Sequence, residues 1–444
     1  MSSHSVHAPP PVPGNAASSA SAALNARIFR RLMPLLVLSY VISFIDRTNI
    51  ALAKSHIEVD LGISAAAYGL GAGLFFLSYA LLEVPSNLIM HRVGARFWIT
   101  RIMVTWGLLS AGMAFITGET SFYVMRVLLG AAEAGLFPGV MLYLTYWFGR
   151  EERARAIGYF LLGVCIANIL SGPVGGALLQ MDGVLGWHGW QWMFVIEGLP
   201  AVALAWVVWK KLPDGPASAH WLTAAESREV LQRLQAEQDQ QASAGQVGHS
   251  LRDCLRDRQI WLAILVYFCH QISIYTVIFF LPGIIGTYGQ LSPLQIGTLN
   301  SVPWIAAAIG AAWLPRFATH PQRCRRMLLA GLATMAAGLL VAALAGKASP
   351  ALGLLGFSLT ALMFFVVQSV VFLFPASRLA GAGLAGGIAL VNTCGLVGGF
   401  IGPTVMGMIE QATGSTRNGL FIMAGLLVVA ALASTRLRQG QETP

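Results

Sequence analysis

The chain has 444 residues, of which 56% are hydrophobic and 11% charged, and its formal net charge is +9. A soluble domain carries roughly a quarter charged residues, so this composition excludes a water-facing globular fold. Uncharged runs such as Met327–Ala345 and Asn418–Thr435 are long enough to cross roughly 30 Å of hydrocarbon as helices, and too long for the strands of a membrane barrel.

Residues 1–27 are rich in Ala, Ser and Pro and read as a disordered cytoplasmic tail. The apolar run that follows starts too late and is too long for a cleaved signal peptide. Six spans, centred near Ser43, Leu77, Gly107, Ala134, Ala167 and Ala203, occupy 28–210. A polar linker, 211–258, contains "LTAAESREVLQRLQAEQDQQ" and reads as a solvated, partly helical connector. Six more spans, centred near Ile274, Ala306, Met335, Phe364, Leu396 and Gly425, occupy 259–437, and 438–444 form a second cytoplasmic tail. The expected fold is an all-α integral membrane protein with twelve transmembrane helices, six on either side of the linker.

Basic residues are distributed unevenly. If the spans alternate from a cytoplasmic N-terminus, the inner segments hold arginine clusters such as Arg27, Arg30, Arg31 and Arg323, Arg325, Arg326, while the outer loops hold only Lys54, Lys347 and Arg417. This positive-inside bias places both termini in the cytoplasm. The net charge is therefore a topology signal, and nucleic acid is not an expected partner. Cys165, Cys254, Cys269, Cys324 and Cys394 are scattered without metal-ligand or paired spacing. The sequence has no GxxxxGK[ST] phosphate loop, so ATP-driven transport has no support. "SGPVGGALL" (Ser171–Leu179) and "GGFIGPTVMG" (Gly398–Gly407) sit at matching places in the two halves and read as close helix packing.

Ionisable groups inside spans are costly and point to function. Asp46 and Arg47 lie in span 1, Glu83 in span 2, Arg126 and Glu133 in span 4, and His270 in span 7; Glu197 and Glu410 lie nearer the outer surface. Arg126 and Glu133, seven residues apart, share a helix face. Asp46, Arg47 and Arg126 fall at similar depth, with Glu133 closer to the cytoplasm, so the four are expected to form one cluster near the midplane. Arginine forks match carboxylates, and buried acids exchange protons, so the cluster reads as an anion site with proton coupling. Packing charges that lock helices together are the plainer alternative, as a satisfied core histidine is for His270.

"SYVISFIDRTNIALA", "FFLSYALLEVPSNLIMHRVGARFW", "RVLLGAAEAGLFPGVMLYLTYWF" and "WQWMFVIEGLPA" together resemble the major facilitator superfamily. Within it the chain is similar to the anion:cation symporter family, especially its bacterial organic-acid branch. The resemblance runs from about Arg30 to Arg438. It implies two pseudo-symmetric six-helix bundles rocking about a central site. It also implies that Asp46 and Glu133 take protons, that Arg47 and Arg126 serve substrate binding and coupling, and that Tyr79 offers its hydroxyl to the substrate. Asn392 and Thr393 on span 11, with Gln368 and Ser369 on span 10, are the implied polar contacts from the second half. The loop between spans 2 and 3, "NLIMHRVGAR", keeps Arg92, Gly94 and Arg96 of the superfamily's pattern, but His91 stands where an Asp is usual. That departure puts a charged latch at this loop in question.

The expected function is import of a small organic carboxylate by proton symport across the bacterial inner membrane, without a cofactor beyond the proton gradient. The implied substrates are a sugar acid, a tartrate-like hydroxy acid, or an aromatic acid of the phthalate, hydroxyphenylacetate or nicotinate kind. Its partners are then the organic anion, protons and the bilayer, and it works as a monomer. Anion exchange and proton-driven efflux remain open alternatives on the same fold. A membrane-embedded receptor or enzyme has no supporting constellation, and no enzymatic activity is expected.

Overall fold

The computed structural model describes residues 14–243, 251–318, 320–346, 348–379 and 381–438, so Lys347 and the first 13 residues of the tail lie outside it. The described residues form helices with no strand. In chain order these are α1 (Gly14–Leu61), α2 (Ala65–Val93), α3 (Ala95–Gly112), α4 (Glu119–Glu133), α5 (Leu136–Thr145), α6 (Arg150–Leu179) and α7 (Gly189–Lys211) in the first half. The linker carries α8 (Ala224–Ser243) and α9 (Leu251–Arg256). The second half is α10 (Arg258–Gly286), α11 (Pro293–Trp313), α12 (Pro321–Ala345), α13 (Pro350–Val371), α14 (Leu373–Arg378), α15 (Gly381–Thr413) and α16 (Arg417–Ser434).

Among the described residues, eleven spans are long and apolar enough to cross a membrane, two of them built from α4 with α5 and from α13 with α14. The twelfth is α11, whose 21 residues include Gln295, Asn300 and Ser301, which lower its apolarity. The halves repeat one packing scheme. In the first, α1 packs on α6, α2 on α4 and α3 on α7; in the second, α10 packs on α15, α11 on α13 and α12 on α16.

Span 4 breaks for a local reason. After Glu133, Ala134 leaves helical geometry and Gly135 takes φ +95°, a left-handed conformation that glycine adopts freely. The Ala134 carbonyl accepts instead from Ser86 Oγ at 2.7 Å. The break leaves Glu133 at the very end of α4.

The halves meet chiefly along two helix pairs, α2 with α15 and α6 with α11, with α1 against α10 between them. The close approaches of α2 to α15 run from Ala65 beside Gly407 to Phe76 beside Gly399. Gly172 of α6 and Gly297 of α11 are so close that neither position has room for a side chain. Ser301 Oγ donates to the Ile169 carbonyl at 2.6 Å, and Ala66 N–H donates to Gln411 Oε1 at 3.1 Å. Lys54 Nζ pairs with Glu410 at 2.9 Å and with Glu58 at 3.0 Å. All of these contacts lie toward the arginine-poor ends of the helices. Farther along α2, Leu81, Val84 and Leu88 are exposed.

The chain outside the spans is more ordered than composition suggests. Helix α1 begins at Gly14, ahead of the boundary expected at residue 27, because its Ala-rich start favours helix and is held by the linker. Arg233 of α8 donates to Ser21 Oγ at 3.1 Å and Asn25 Oδ1 at 2.8 Å, and Arg27 pairs with Glu226. Trp221 stacks on Trp147, ring centroids 5.7 Å apart. The described part of the linker is thus docked on the first half at its arginine-rich end.

Candidate substrate and proton site

Asp46 and Arg47 are adjacent on α1, so their side chains diverge by about 100°. Asp46 turns to α3: its Oδ2 accepts from Trp106 Nε1 at 2.6 Å and its Oδ1 from Ser110 Oγ at 3.0 Å. Both carboxyl oxygens are engaged, and the residue is buried. Arg47 turns the other way, and its Nη2 donates to Glu133 Oε1. Ser43 Oγ donates to the same oxygen at 2.6 Å. The guanidinium carbon lies 4.7, 5.2 and 5.1 Å from the ring centres of Phe44, Phe75 and Tyr79. This aromatic collar fixes the fork by cation–π attraction while keeping water away. Arg47 Nε has no partner, so the fork holds a donor in reserve. Across the interface, Tyr275 of α10 turns its hydroxyl toward Arg47, and its ring lies 4.2 Å from that of Phe76.

Arg126 does not join this pair. Its Nε donates to the Gly71 carbonyl at 3.2 Å and its Nη2 to the Ala72 carbonyl at 3.3 Å, and it is only 1% exposed. Phe75 lies between the two arginines, 4.9 Å from the Arg126 guanidinium. The expected four-group cluster therefore resolves into one ion pair, Arg47 with Glu133, flanked by Asp46 on α3 and Arg126 on the α2 main chain. Asp46 still lies within electrostatic range of Glu133.

Tyr79 packs on Phe75 and Arg47, and its hydroxyl makes no hydrogen bond to a described group. In the second half, Gln368 Nε2 donates to Tyr267 Oη at 3.3 Å, while its buried Oε1 is unpartnered. Ser369 is exposed and bonds the Val366 carbonyl of its own helix. Asn392 and Thr393 are half-buried and make no side-chain hydrogen bond among the described residues. His270 is fully buried, with Nδ1 3.1 Å from Gln271 Oε1 and Nε2 3.2 Å from the Phe364 carbonyl, between the rings of Phe364 and Tyr267. One ring N–H can donate to either of these oxygens, depending on the tautomer. Glu83 is buried nearer the arginine-rich end, where its carbonyl accepts from Asn87.

At the junction of α2 and α3, His91 and Arg92 lie in the last turn of α2 and are exposed. Gly94 has φ +95°, and a side chain there would meet Asp214. Asp214 Oδ1 accepts from the Arg96 N–H at 2.9 Å, and Arg96 Nε donates to the Trp209 carbonyl at 2.6 Å. Asp214, just beyond α7, thus caps the start of α3 at this junction. Sequence reasoning missed Asp214, 120 residues from Gly94, and it missed Ser43. Ser43 had a signal: it precedes Arg47 by one helical turn and shares its face.

Residues 36–403 match the family model described as Major Facilitator Superfamily. A protein of Agrobacterium vitis, named as a proposed tartrate transporter, is 41% identical over 93% of this chain and 94% of its own length. A "Quinolone resistance transporter" of Acinetobacter baumannii is 40% identical, with 93% and 95% covered. Among solved structures, the inward-open xylose transporter XylE of E. coli superposes with TM-score 0.73 at 14% identity, covering 93% of this chain and 97% of that one.

Proposed function

Because the chain belongs to the major facilitator superfamily and is a non-enzymatic membrane transporter, we propose that it imports a small organic carboxylate together with protons across the bacterial inner membrane, both termini being cytoplasmic. The observation that carries this reading is the Arg47–Glu133 pair, with Arg47 Nε unpartnered inside an aromatic collar. An ionised Glu133 occupies the fork. A protonated Glu133 releases it, and the substrate carboxylate takes the vacated donors, with Tyr79 and Tyr275 beside it. Proton and carboxylate then bind together because each removes the other's competitor. Asn392, Thr393 and the free Oε1 of Gln368 supply polar contacts from the second half. Arg126, bound to the α2 main chain, holds α4 to α2 and sets the depth of Glu133.

The halves are closed toward the arginine-poor ends, which the positive-inside bias assigns to the outside; this is the inward-facing state of an alternating-access cycle. The A. vitis relative supports a tartrate-like substrate, and the aromatic collar also suits aromatic acids. The test is a thermal-shift screen of purified protein against tartrate, gluconate, phthalate and nicotinate, followed by uptake of the stabilising acid into proteoliposomes. A protonophore is expected to abolish accumulation; undiminished accumulation contradicts symport. The A. baumannii relative favours a second reading, proton-driven efflux, in which protons and substrate move in opposite directions.

A further inference from the structure

The face of α1 opposite Arg47 carries a second set of polar groups that the pair above does not use. Asn49 lies one turn beyond Asp46 on the same side of the helix. Beside it, from α7, comes Glu197, 6% exposed. No well-formed hydrogen bond reaches either Glu197 oxygen; Asn49 Nδ2 is the donor beside it. Asp46 is the titratable group within electrostatic range of Glu197. From α6 the carboxyl meets Gly175, and from α3 the Gly107–Ser110 turn packs against Gly198, so neither helix offers an ionisable group. Among the described residues Glu197 forms no ion pair.

We propose that Glu197 carries a proton that it exchanges with Asp46, the two carboxyls forming a proton site enclosed by α1, α3 and α7. Their surroundings divide the roles. Asp46 receives an N–H and an O–H donor, which suits a carboxylate. Glu197 receives none, which suits the neutral acid. Ser110, which donates to Asp46, packs against Gly198, the residue after Glu197; two acids joined through one such contact hold one proton more easily than two charges. The transfer breaks the O–H bond of Glu197 and forms one on Asp46, with no other change. A structural acid that merely tied α7 to α1 would have its oxygens hydrogen-bonded. Glu197 also stands between Asp46 and the arginine-poor surface. Trp190, two turns earlier on the same face of α7, donates to Asp60 at 2.8 Å, and His188 Nδ1 lies 3.2 Å from the same carboxylate. This titratable cluster marks the side from which the proton arrives.

The inference rests on the symport reading, and its test separates the two. Full-length protein in proteoliposomes is given whichever of radiolabelled tartrate, gluconate, phthalate and nicotinate the wild type accumulates fastest, with a lumenal pH dye. Glu197→Gln is expected to lower proton-driven accumulation at least tenfold and to reduce acidification per substrate. Its substrate counterflow is expected to stay within twofold of wild type, and Glu197→Asp to recover driven accumulation. Wild-type accumulation and acidification in Glu197→Gln would overturn the inference alone. Wild-type uptake indifferent to the proton gradient would overturn symport and this inference with it. Should Glu197→Gln fail to fold, infrared difference spectra of the wild type between acid and alkaline buffer decide. An unbonded carboxylic-acid C=O stretch that appears with acid and shifts in Glu197→Asp supports the inference, and a stretch that is absent or unmoved in that variant overturns it.

Discussion

Glu133→Gln isolates the competition at Arg47. In the structure Glu133 Oε1 accepts from both Arg47 Nη2 and Ser43 Oγ. A hydrogen bond to a charged group contributes about 1.5–3 kcal/mol and a neutral one about 0.5–1.5 kcal/mol. The amide oxygen of the variant still accepts a charge-assisted bond from the Arg47 cation, but the charge–charge attraction is lost and the Ser43 bond becomes a neutral one, so Glu133's hold on the site weakens by about 1–1.5 kcal/mol. At 1.4 kcal/mol per factor of ten, substrate affinity at alkaline pH is expected to rise about 5- to 12-fold. Because proton and substrate bind together in this account, wild-type affinity is expected to strengthen as pH falls; the variant's affinity is expected to be nearly flat with pH. Calorimetric Kd values from acid to alkaline pH check both statements. The variant is also expected to lose proton-driven accumulation while keeping counterflow. A variant as pH-dependent as wild type, or one that no longer binds, refutes the competition.

Arg47→Lys keeps the charge but loses the planar fork; with one charge-assisted bond gone, about 1.5–3 kcal/mol, Kd is expected to weaken roughly 10- to 150-fold, and near-native affinity removes Arg47 from the site. Glu410→Gln breaks the pair with the buried Lys54 that joins the halves. At about 1 kcal/mol it is expected to raise the population open at that end about fivefold, read by cysteine cross-linking between α1 and α15, and unchanged cross-linking denies the pair a gating role. Gly172→Val places a side chain on the Gly297 main chain and is expected to block closure of that end, abolishing net transport; full transport shows that the two helices separate without needing this contact.

The architecture was legible because long apolar runs have one solution in lipid, and the arginine bias assigned an orientation to them. The ionisable residues were legible as a set, since each is conspicuous inside a span. Their pairing was not. Whether Asp46 or Arg47 faces the cavity depends on the rotation of α1, which neighbours decide: Trp106 and Ser110 draw Asp46 to α3, and Phe44 and Phe75 collar Arg47. Arg126 reaches α2 carbonyls because Gly71, packed on Phe122, and Gly130, packed on the Phe75 carbonyl, let α2 and α4 approach, a tertiary fact that helix spacing does not contain. The break after Glu133 is more readable in hindsight, since Gly135 and Pro138 follow it closely. Glu197 was placed near the outer surface by its position in span 6; the structure buries it beside Asn49 because α7 packs on both α1 and α3.

The central claim is tested most directly by recording lumenal pH as the acid that stabilises the purified protein is added outside proteoliposomes with no preset gradient. The account predicts that the lumen acidifies in step with substrate uptake, and that Glu133→Gln takes up no proton with its substrate. Substrate uptake without a pH change, as in exchange, or with lumenal alkalinisation, as in antiport, would contradict it.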